Sequence, residues 1–291
     1  MKKIFAAILS SALVLSLAAC GSKSITMQEV YDAYQLDTIL ETHENVHIKH
    51  QLDDELSTDM YLTKEFSYEY IHDDTESWAT YLTDDSYYGY EDGVYYRVVF
   101  LEENGLFDTA SYRATLYTSP ILSPFTMKEE IQSVTTKDGR ITVSTVMSQE
   151  GLKDVQVLDE GLISGSYEYV MDAKTLTPIQ STGVDSYDDG TDSTFDFTCT
   201  YDEEFPAELQ GFLELDRQTE DLRTITYVIH SETGEETTTS IQVPKGIRVD
   251  LIADYGVAGE LNLYSDAACT EPFVNSEDYT LDLTLHVKWI K

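Results

Sequence analysis

The sequence predicts an α+β protein that is mostly antiparallel β, with one long N-terminal helix and a small β module at its C-terminal end. Three observations predict this class. Apolar residues recur with a helical period only near the start of the chain. Over most of the remaining sequence they alternate with polar residues, as in strands that bury one face. Short turns containing glycine separate the alternating segments, which favours antiparallel hairpins.

The helix is predicted from a start signal and a stripe of apolar residues. Thr26-Met27-Gln28-Glu29 has the pattern of a capping box, with Ile25 and Val30 placed as a hydrophobic staple. A helix should therefore begin at Met27, and the apolar stripe carries it to about Glu44. The residues of the stripe are Val30, Tyr31, Tyr34, Leu36, Ile39 and Leu40.

Alternating segments predict the strands of the sheet. One segment is predicted as a single strand with one apolar face, made by Met60, Leu62, Phe66, Tyr68 and Tyr70. Glu91-Asp92-Gly93 and Lys137-Asp138-Gly139 each join two alternating segments and predict hairpins. Further strands are predicted around 167–171 and 195–201. Residues 102–128 show no clean period, so they form either a long loop or short helices. A loop of this length is either a lid or binding segment or a plain irregular connection.

A change of composition predicts a domain boundary. Residues 216–221 contain no apolar side chain. We therefore place a linker at 216–221, between a first domain at 24–215 and a β module at 222–291.

The β module resembles the internalin-type B-repeat of bacterial surface proteins. The matching residues form three blocks whose order and spacing agree: Val243-Pro244-Lys245-Gly246, Leu263 to Phe273, and Asp282 to Trp289. Where B-repeats carry Gly-Trp before a Tyr-x-Asp step, this chain has Asn262-Leu263. The resemblance implies a β-grasp-like fold that acts as a spacer or contacts a surface protein, without catalytic residues.

The first domain is similar to LolA/LppX-like envelope lipoproteins. The similarity lies in the N-terminal helix, the run of hairpins, and the strand-turn-strand segment from Tyr167 to Ile179. It implies a curved sheet that wraps a helix and leaves an apolar cavity for a lipid. No binding residue can be transferred from this similarity.

The first twenty residues have the pattern of an export signal. Lys2 and Lys3 precede an apolar run at 4–17 that is shorter than the ~20 residues needed to span a bilayer. Leu17-Ala18-Ala19-Cys20-Gly21 resembles the lipobox of bacterial lipoproteins. The resemblance implies a signal peptide at 1–19, lipid on Cys20, and a short tether at 20–23. We therefore expect a lipid-anchored, extracytoplasmic protein at the cell membrane or cell surface.

Composition limits the partners and the chemistry. With 54 acidic and 18 basic residues, the formal net charge is −36, so nucleic acid is not expected as a partner. Cys199 and Cys269 are far apart and no C-x-x-C pair exists, so neither a disulfide nor thiol redox chemistry is expected. The sequence lacks G-x-S-x-G, S-x-x-K and phosphate-binding glycine loops, which argues against an enzyme, and no cofactor is expected.

Two motifs suggest metal sites as alternatives. His43-Glu44-Asn45-Val46-His47 matches the H-E-x-x-H pattern, in which two histidines one helical turn apart bind zinc and the glutamate polarises water. A zinc hydrolase using His43, Glu44 and His47 is the alternative to a frayed helix end with solvated histidines. The second motif resembles a calcium loop, but Tyr187 occupies a ligand position, so a polar hairpin tip is favoured. Its residues are Asp185, Asp189, Asp192, Ser193 and Asp196.

We expect a non-catalytic binding protein that holds a lipid-like or other apolar ligand between helix and sheet. The candidate pocket wall is formed by Leu62, Phe66, Tyr68, Phe195 and Phe197. The eleven tyrosines between Tyr61 and Tyr117 suit either an amphiphilic ligand or the core of a sheet. A purely structural surface protein without a ligand is the remaining alternative.

Overall fold

The structure is a computed structural model, and it describes residues 24–51, 57–72, 77–102, 105–106, 108–117, 120–121, 127–156, 160–231, 234–253, 260–274 and 279–290. The predicted signal peptide, tether and lipid-bearing Cys20 lie outside these residues. Within them, every helix is too short or too polar to span a bilayer.

The described residues form five short helices and seventeen strands. The helices are α1 (Met27–Ala33), α2 (Leu36–Leu40), α3 (Thr109–Tyr117), α4 (Gln149–Val155) and α5 (Ala207–Asp216). The strands are β1 (Val46–Gln51), β2 (Ser57–Leu62), β3 (Ser67–His72), β4 (Ser77–Leu82), β5 (Tyr87–Glu91), β6 (Val94–Glu102), β7 (Gly105–Leu106), β8 (Glu129–Lys137), β9 (Arg140–Met147), β10 (Leu162–Asp172), β11 (Pro178–Tyr187), β12 (Asp192–Tyr201), β13 (Leu222–His230), β14 (Glu236–Pro244), β15 (Arg248–Ala253), β16 (Glu260–Tyr264) and β17 (Leu283–Ile290). The predicted α+β class is therefore corrected to a mostly β architecture.

The N-terminal helix begins as predicted. Thr26 and Glu29 form the capping box, in which Glu29 N donates to Thr26 Oγ1 at 3.2 Å and Thr26 N donates to Glu29 Oε2 at 3.0 Å. These bonds satisfy backbone groups that a helix start leaves without partners. The start signal at Met27 is therefore confirmed.

The prediction of one long helix to Glu44 is wrong. The α1 helix ends at Ala33, and the fully buried Tyr34 donates its hydroxyl to the carbonyls of Val170 and Gln180 at 3.3 and 3.0 Å. The next residue, Gln35, is extended and pairs with Pro120 in an isolated bridge before α2 begins. Tertiary contacts on both sides of the break thus override a helical pattern that continues in the sequence.

The segment predicted as one strand from Met60 to Tyr70 is a hairpin. Between β2 and β3 the chain turns at 63–66, where Thr63 Oγ1 accepts the backbone N–H groups of Glu65 and Phe66 at 3.1 and 3.0 Å. Leu62 pairs with Ser67 across the turn. Even-numbered residues of β2 therefore share a sheet face with odd-numbered residues of β3.

The two hairpins with glycine turns are confirmed. Glu91 pairs with Val94 around a two-residue turn, and Lys137 pairs with Arg140 around another. The turn residues Asp92, Gly93, Asp138 and Gly139 all have positive φ, between 51° and 82°. This is the backbone conformation that such a turn requires.

The chain divides into two compact units, Met1–Tyr34 with Pro124–Ser193, and Gln35–Ser123 with Thr194–Lys291. In the first unit β8, β9, β10 and β11 form antiparallel neighbours in chain order. The buried Glu129 accepts hydrogen bonds from Tyr169 and Thr145 at 2.9 and 2.5 Å. Three neighbouring strands of this unit are thus joined by a satisfied polar network.

The second unit contains two sheets. In the larger, the strand order is β15-β6-β5-β4-β3-β2-β1-β12, and all these neighbours are antiparallel except β15 and β6. In the smaller, the order is β14-β13-β17-β16, with β13 and β17 parallel. Val99 of β6 belongs to the apolar core of the smaller sheet, together with Ile225 and Tyr227. Asp216 is the last residue of α5, and residues 217–221 connect α5 to β13. The domain division at 216–221 stays a prediction.

One face of the larger sheet carries a row of tyrosines. Tyr61, Tyr68, Tyr81 and Tyr88 lie directly opposite one another on β2 to β5, and all four are buried. The α5 helix covers this row with Leu209, Phe212 and Leu213. The tyrosine row is therefore part of the core of this unit. The opposite face of the same four strands is available for other contacts.

Candidate functional site

The candidate site is an apolar pocket on the sheet face opposite the tyrosine row. Its floor follows from the strand register: Leu62 pairs with Ser67, Ser67 with Leu82, and Leu82 with Tyr87. A second row beside it pairs Met60 with Glu69 and Glu69 with Thr80. Four neighbouring strands thus bring together residues that are up to 27 positions apart.

Part of the segment 102–128, whose sequence shows no clean helical or strand period, covers the pocket. Tyr112 of α3, together with Pro120 and Ile121, lines it opposite the sheet. The buried Arg113 holds α3 in place, because its Nε donates to Asp84 Oδ1 at 2.7 Å and its Nη1 donates to the Lys64 carbonyl at 2.9 Å. This residue ties the cover to the turns that precede β3 and β5.

The pocket has a volume of about 210 Å³. Its described lining consists of Met60, Leu62, Ser67, Tyr68, Glu69, Thr80, Leu82, Tyr87, Tyr112, Pro120 and Ile121. Burial raises the pKa of the Glu69 carboxyl above its ordinary value, and burial likewise raises the pKa of Tyr87. The site therefore combines an apolar volume with one carboxyl group whose charge is poorly solvated.

Only some of the residues predicted to form the pocket wall line the pocket in the structure. Leu62 and Tyr68 are among the lining residues, although the ring of Tyr68 packs against Phe212 on the other face. Phe66 lies in the tyrosine core, with its ring 5.2 Å from that of Tyr81. The two remaining residues, on β12, do not line this pocket: Phe197 stacks on His50 at 3.8 Å, and Phe195 lies 5.5 Å from Phe197.

A second, larger cavity of about 860 Å³ is open to solvent. Phe66, Phe205 and Leu213 give it an apolar floor, and acidic and basic side chains surround that floor. His43 and Glu44 also line it, and His43 Nδ1 is 2.8 Å from Asp202 Oδ2. Because charged side chains of both signs line this cavity, its lining indicates the class of ligand less clearly than the lining of the apolar pocket does.

The histidines of the H-E-x-x-H motif do not share a helix. His43 lies in the turn after α2, and His47 lies on β1. In the part of the chain that the structure describes, no group of three or more His, Cys, Asp or Glu side chains is arranged to hold a metal ion. The zinc alternative required both histidines on one helical turn, and the end of α2 at Leu40 removes that geometry.

His47 is buried rather than solvated. Its Nδ1 is 2.7 Å from Glu203 Oε2 and its Nε2 is 2.7 Å from Asp59 Oδ1, while its ring stacks on Tyr61 at 4.1 Å. Hydrogen bonding to His47 lowers the pKa of both Asp59 and Glu203 below their ordinary values. This arrangement joins β1, β2 and the chain after β12, which is a structural role.

The calcium-like cluster contains hydrogen bonds of its own. Asp189 accepts hydrogen bonds from the backbone and hydroxyl of Thr191 at 2.9 and 2.7 Å, and Asp185 accepts one from Tyr167 at 2.7 Å. These contacts are those of a polar hairpin tip.

Sequence reasoning missed Glu69, Thr80, Leu82, Tyr87 and Tyr112 as pocket residues. A single strand from Met60 to Tyr70 would place Glu69 on the polar face, whereas the turn at 63–66 brings Glu69 to the same face as Met60 and Leu62. The polar pair Lys64-Glu65 between two apolar runs, with Thr63 before it, was the signal for this turn.

The solved structures that are similar to this chain include two mycobacterial proteins. LprF from Mycobacterium bovis has 12% sequence identity and a TM-score of 0.35, with 63% of this chain and 97% of that chain covered. Lipoprotein LppX from Mycobacterium tuberculosis has 10% identity and a TM-score of 0.37, with 62% and 97% covered. No protein-family model and no curated protein matches the chain.

Proposed function

We propose that this chain is a lipid-anchored, extracytoplasmic binding protein without catalytic activity, which holds a small apolar ligand in the pocket between β2–β5 and the α3 cover. The observation that carries the proposal is the pocket itself, with Met60, Leu62, Leu82 and Ile121 in its lining. Ligand sites are concave and mostly apolar, with a few polar groups. Ser67, Thr80 and Glu69 supply such groups here.

The size of the pocket limits the ligand. An apolar cavity of about 150 Å³ in another protein holds benzene. A volume of about 210 Å³ therefore suits a molecule, or the end of a longer one, of roughly six to ten non-hydrogen atoms. The resemblance of the 222–291 module to a B-repeat predicts that this module contacts a surface protein. That contact stays a separate prediction.

Filling the pocket should abolish ligand binding. With n-hexanol as probe, we expect saturable amide chemical-shift changes on β2–β5 of the native protein. The variant Ile121→Trp adds bulk at the cover and should lose them, because the added ring occupies the same volume. The control Val94→Trp places the same ring at an exposed position of β6 and should bind normally. Changes that do not saturate, or that persist in Ile121→Trp, would contradict the proposal.

The anchor is tested separately. Cys20→Ser removes the thiol of the lipobox-like segment, so lipid labelling should disappear and the protein should leave the membrane fraction. Metabolic labelling with a fatty acid and fractionation of cells measure the two effects. A Cys269→Ser variant is the matched control and should stay labelled. If the Cys20→Ser protein remained with the membrane, the anchor assignment would be wrong.

A further inference from the structure

The pocket contains one charged side chain among its described lining residues, the carboxyl group of Glu69. Glu69 lies in the middle of β3, between Met60 on β2 and Thr80 on β4. The other lining residues are apolar, aromatic or hydroxyl-bearing. The carboxyl group is therefore the strongest polar feature that an apolar ligand would meet.

A carboxylate in these surroundings favours a ligand of opposite charge. Burial raises the pKa of Glu69, which shows that its ionised form is poorly compensated by the protein. A ligand cation would supply that compensation, whereas a ligand carboxylate would add a second charge of the same sign. Tyr87 and Tyr112 also line the pocket, and tyrosine rings attract cations at their faces.

On this basis, which rests on the proposed function, we propose that the ligand is an amine: a short apolar chain or ring that ends in an ammonium group paired with Glu69. The strongly acidic chain, with a formal net charge of −36, adds long-range attraction for such a cation. Charge and volume together thus favour a small cationic amphiphile over a fatty acid.

Three probes with the same chain length test this inference on the full-length protein. We expect n-hexylamine to bind about tenfold or more tightly than n-hexanol at neutral pH, because hydrogen bonds to charged groups are stronger than neutral ones. We expect n-hexanoate to bind most weakly. Titrations followed by amide chemical shifts give all three dissociation constants.

The variant Glu69→Gln separates the carboxylate from the rest of the pocket. It should weaken hexylamine binding to the level of hexanol binding by the same variant. Amide chemical shifts that stay unchanged outside β2–β5 would show that the variant is still folded. Glu91→Gln removes the same charge from an exposed position on β5 and should preserve the preference for the amine.

Each outcome distinguishes the two proposals. If hexanol or hexanoate bound as tightly as hexylamine, or if Glu69→Gln kept the preference for the amine, the amine assignment would be overturned while the pocket stood. If Glu91→Gln also lost the preference for hexylamine over hexanol, the preference would come from general surface charge, and the inference would be overturned as well. If none of the three probes bound, both the amine assignment and the proposed function would be wrong.

Discussion

Phe212→Ala is expected to lower the free energy of unfolding by about 3–5 kcal/mol. Phe212 of α5 is fully buried, and its ring lies 5.9 Å from Tyr68, 5.5 Å from Tyr81 and 4.9 Å from Tyr95. Truncation removes a large apolar area and leaves a cavity against three rings that strand register holds in place.

Urea unfolding measures this effect, through a lower midpoint at an unchanged slope. Leu215→Ala on the same helix is the matched control, because Leu215 is only partly buried, and it should cost about 1 kcal/mol. A loss below about 1 kcal/mol for Phe212→Ala would contradict the assignment of α5 as the cover of the tyrosine row.

His47→Phe is expected to lower the free energy of unfolding by about 1–3 kcal/mol at pH 7. The phenylalanine ring can keep the stacking on Tyr61, but it removes the hydrogen bonds to Asp59 and Glu203. The range is lower than for a fully buried ion pair, because the Glu203 side chain is 41% exposed.

The pH dependence provides a second measurement. Asp59 and Glu203 have ordinary pKa values of 3.8 and 4.5, and hydrogen bonding to His47 lowers both in the folded protein. Their contribution to stability is therefore complete above those values and is lost as the pH falls through the lower folded pKa values. The difference between the native protein and His47→Phe should therefore narrow as the pH falls below about pH 4.

His43→Phe is the control for this pair of measurements. His43 also contacts a carboxylate, but the Asp202 side chain is 49% exposed, so His43→Phe should lower the free energy of unfolding much less than His47→Phe does. A pH-independent difference for His47→Phe would contradict the ion-pair role of His47.

The start of α1, the glycine hairpins and the alternating strands could be predicted because each depends on a few neighbouring residues. A capping box needs only Thr26 and Glu29, and a two-residue turn needs residues such as Asp92 and Gly93 that tolerate positive φ. These preferences act within a few positions of the chain. They are present in the sequence whatever the rest of the protein does.

The composition of the pocket could not be predicted in the same way. The even-numbered residues from Met60 to Tyr70 are apolar except for Lys64, yet the turn at 63–66 pairs Leu62 with Ser67 and so moves Tyr68 to the face of Tyr61. Because side chains alternate faces along a strand, the number of residues in one turn decides the face of every residue that follows. Leu62 and Glu69 therefore came together in the pocket, and Phe66 joined the core.

The local sequence was sufficient for the start of the first helix and for the two glycine hairpins, because hydrogen-bonding caps and turn conformations are satisfied by adjacent residues. It was insufficient for the end of α1, where Tyr34 is fixed by Val170 and Gln180, more than a hundred positions away. It was equally insufficient for the two faces of the larger sheet, which depend on strand register. Contacts between residues that are distant in sequence are formed only when the chain is folded, and these contacts decided which side chains line the pocket.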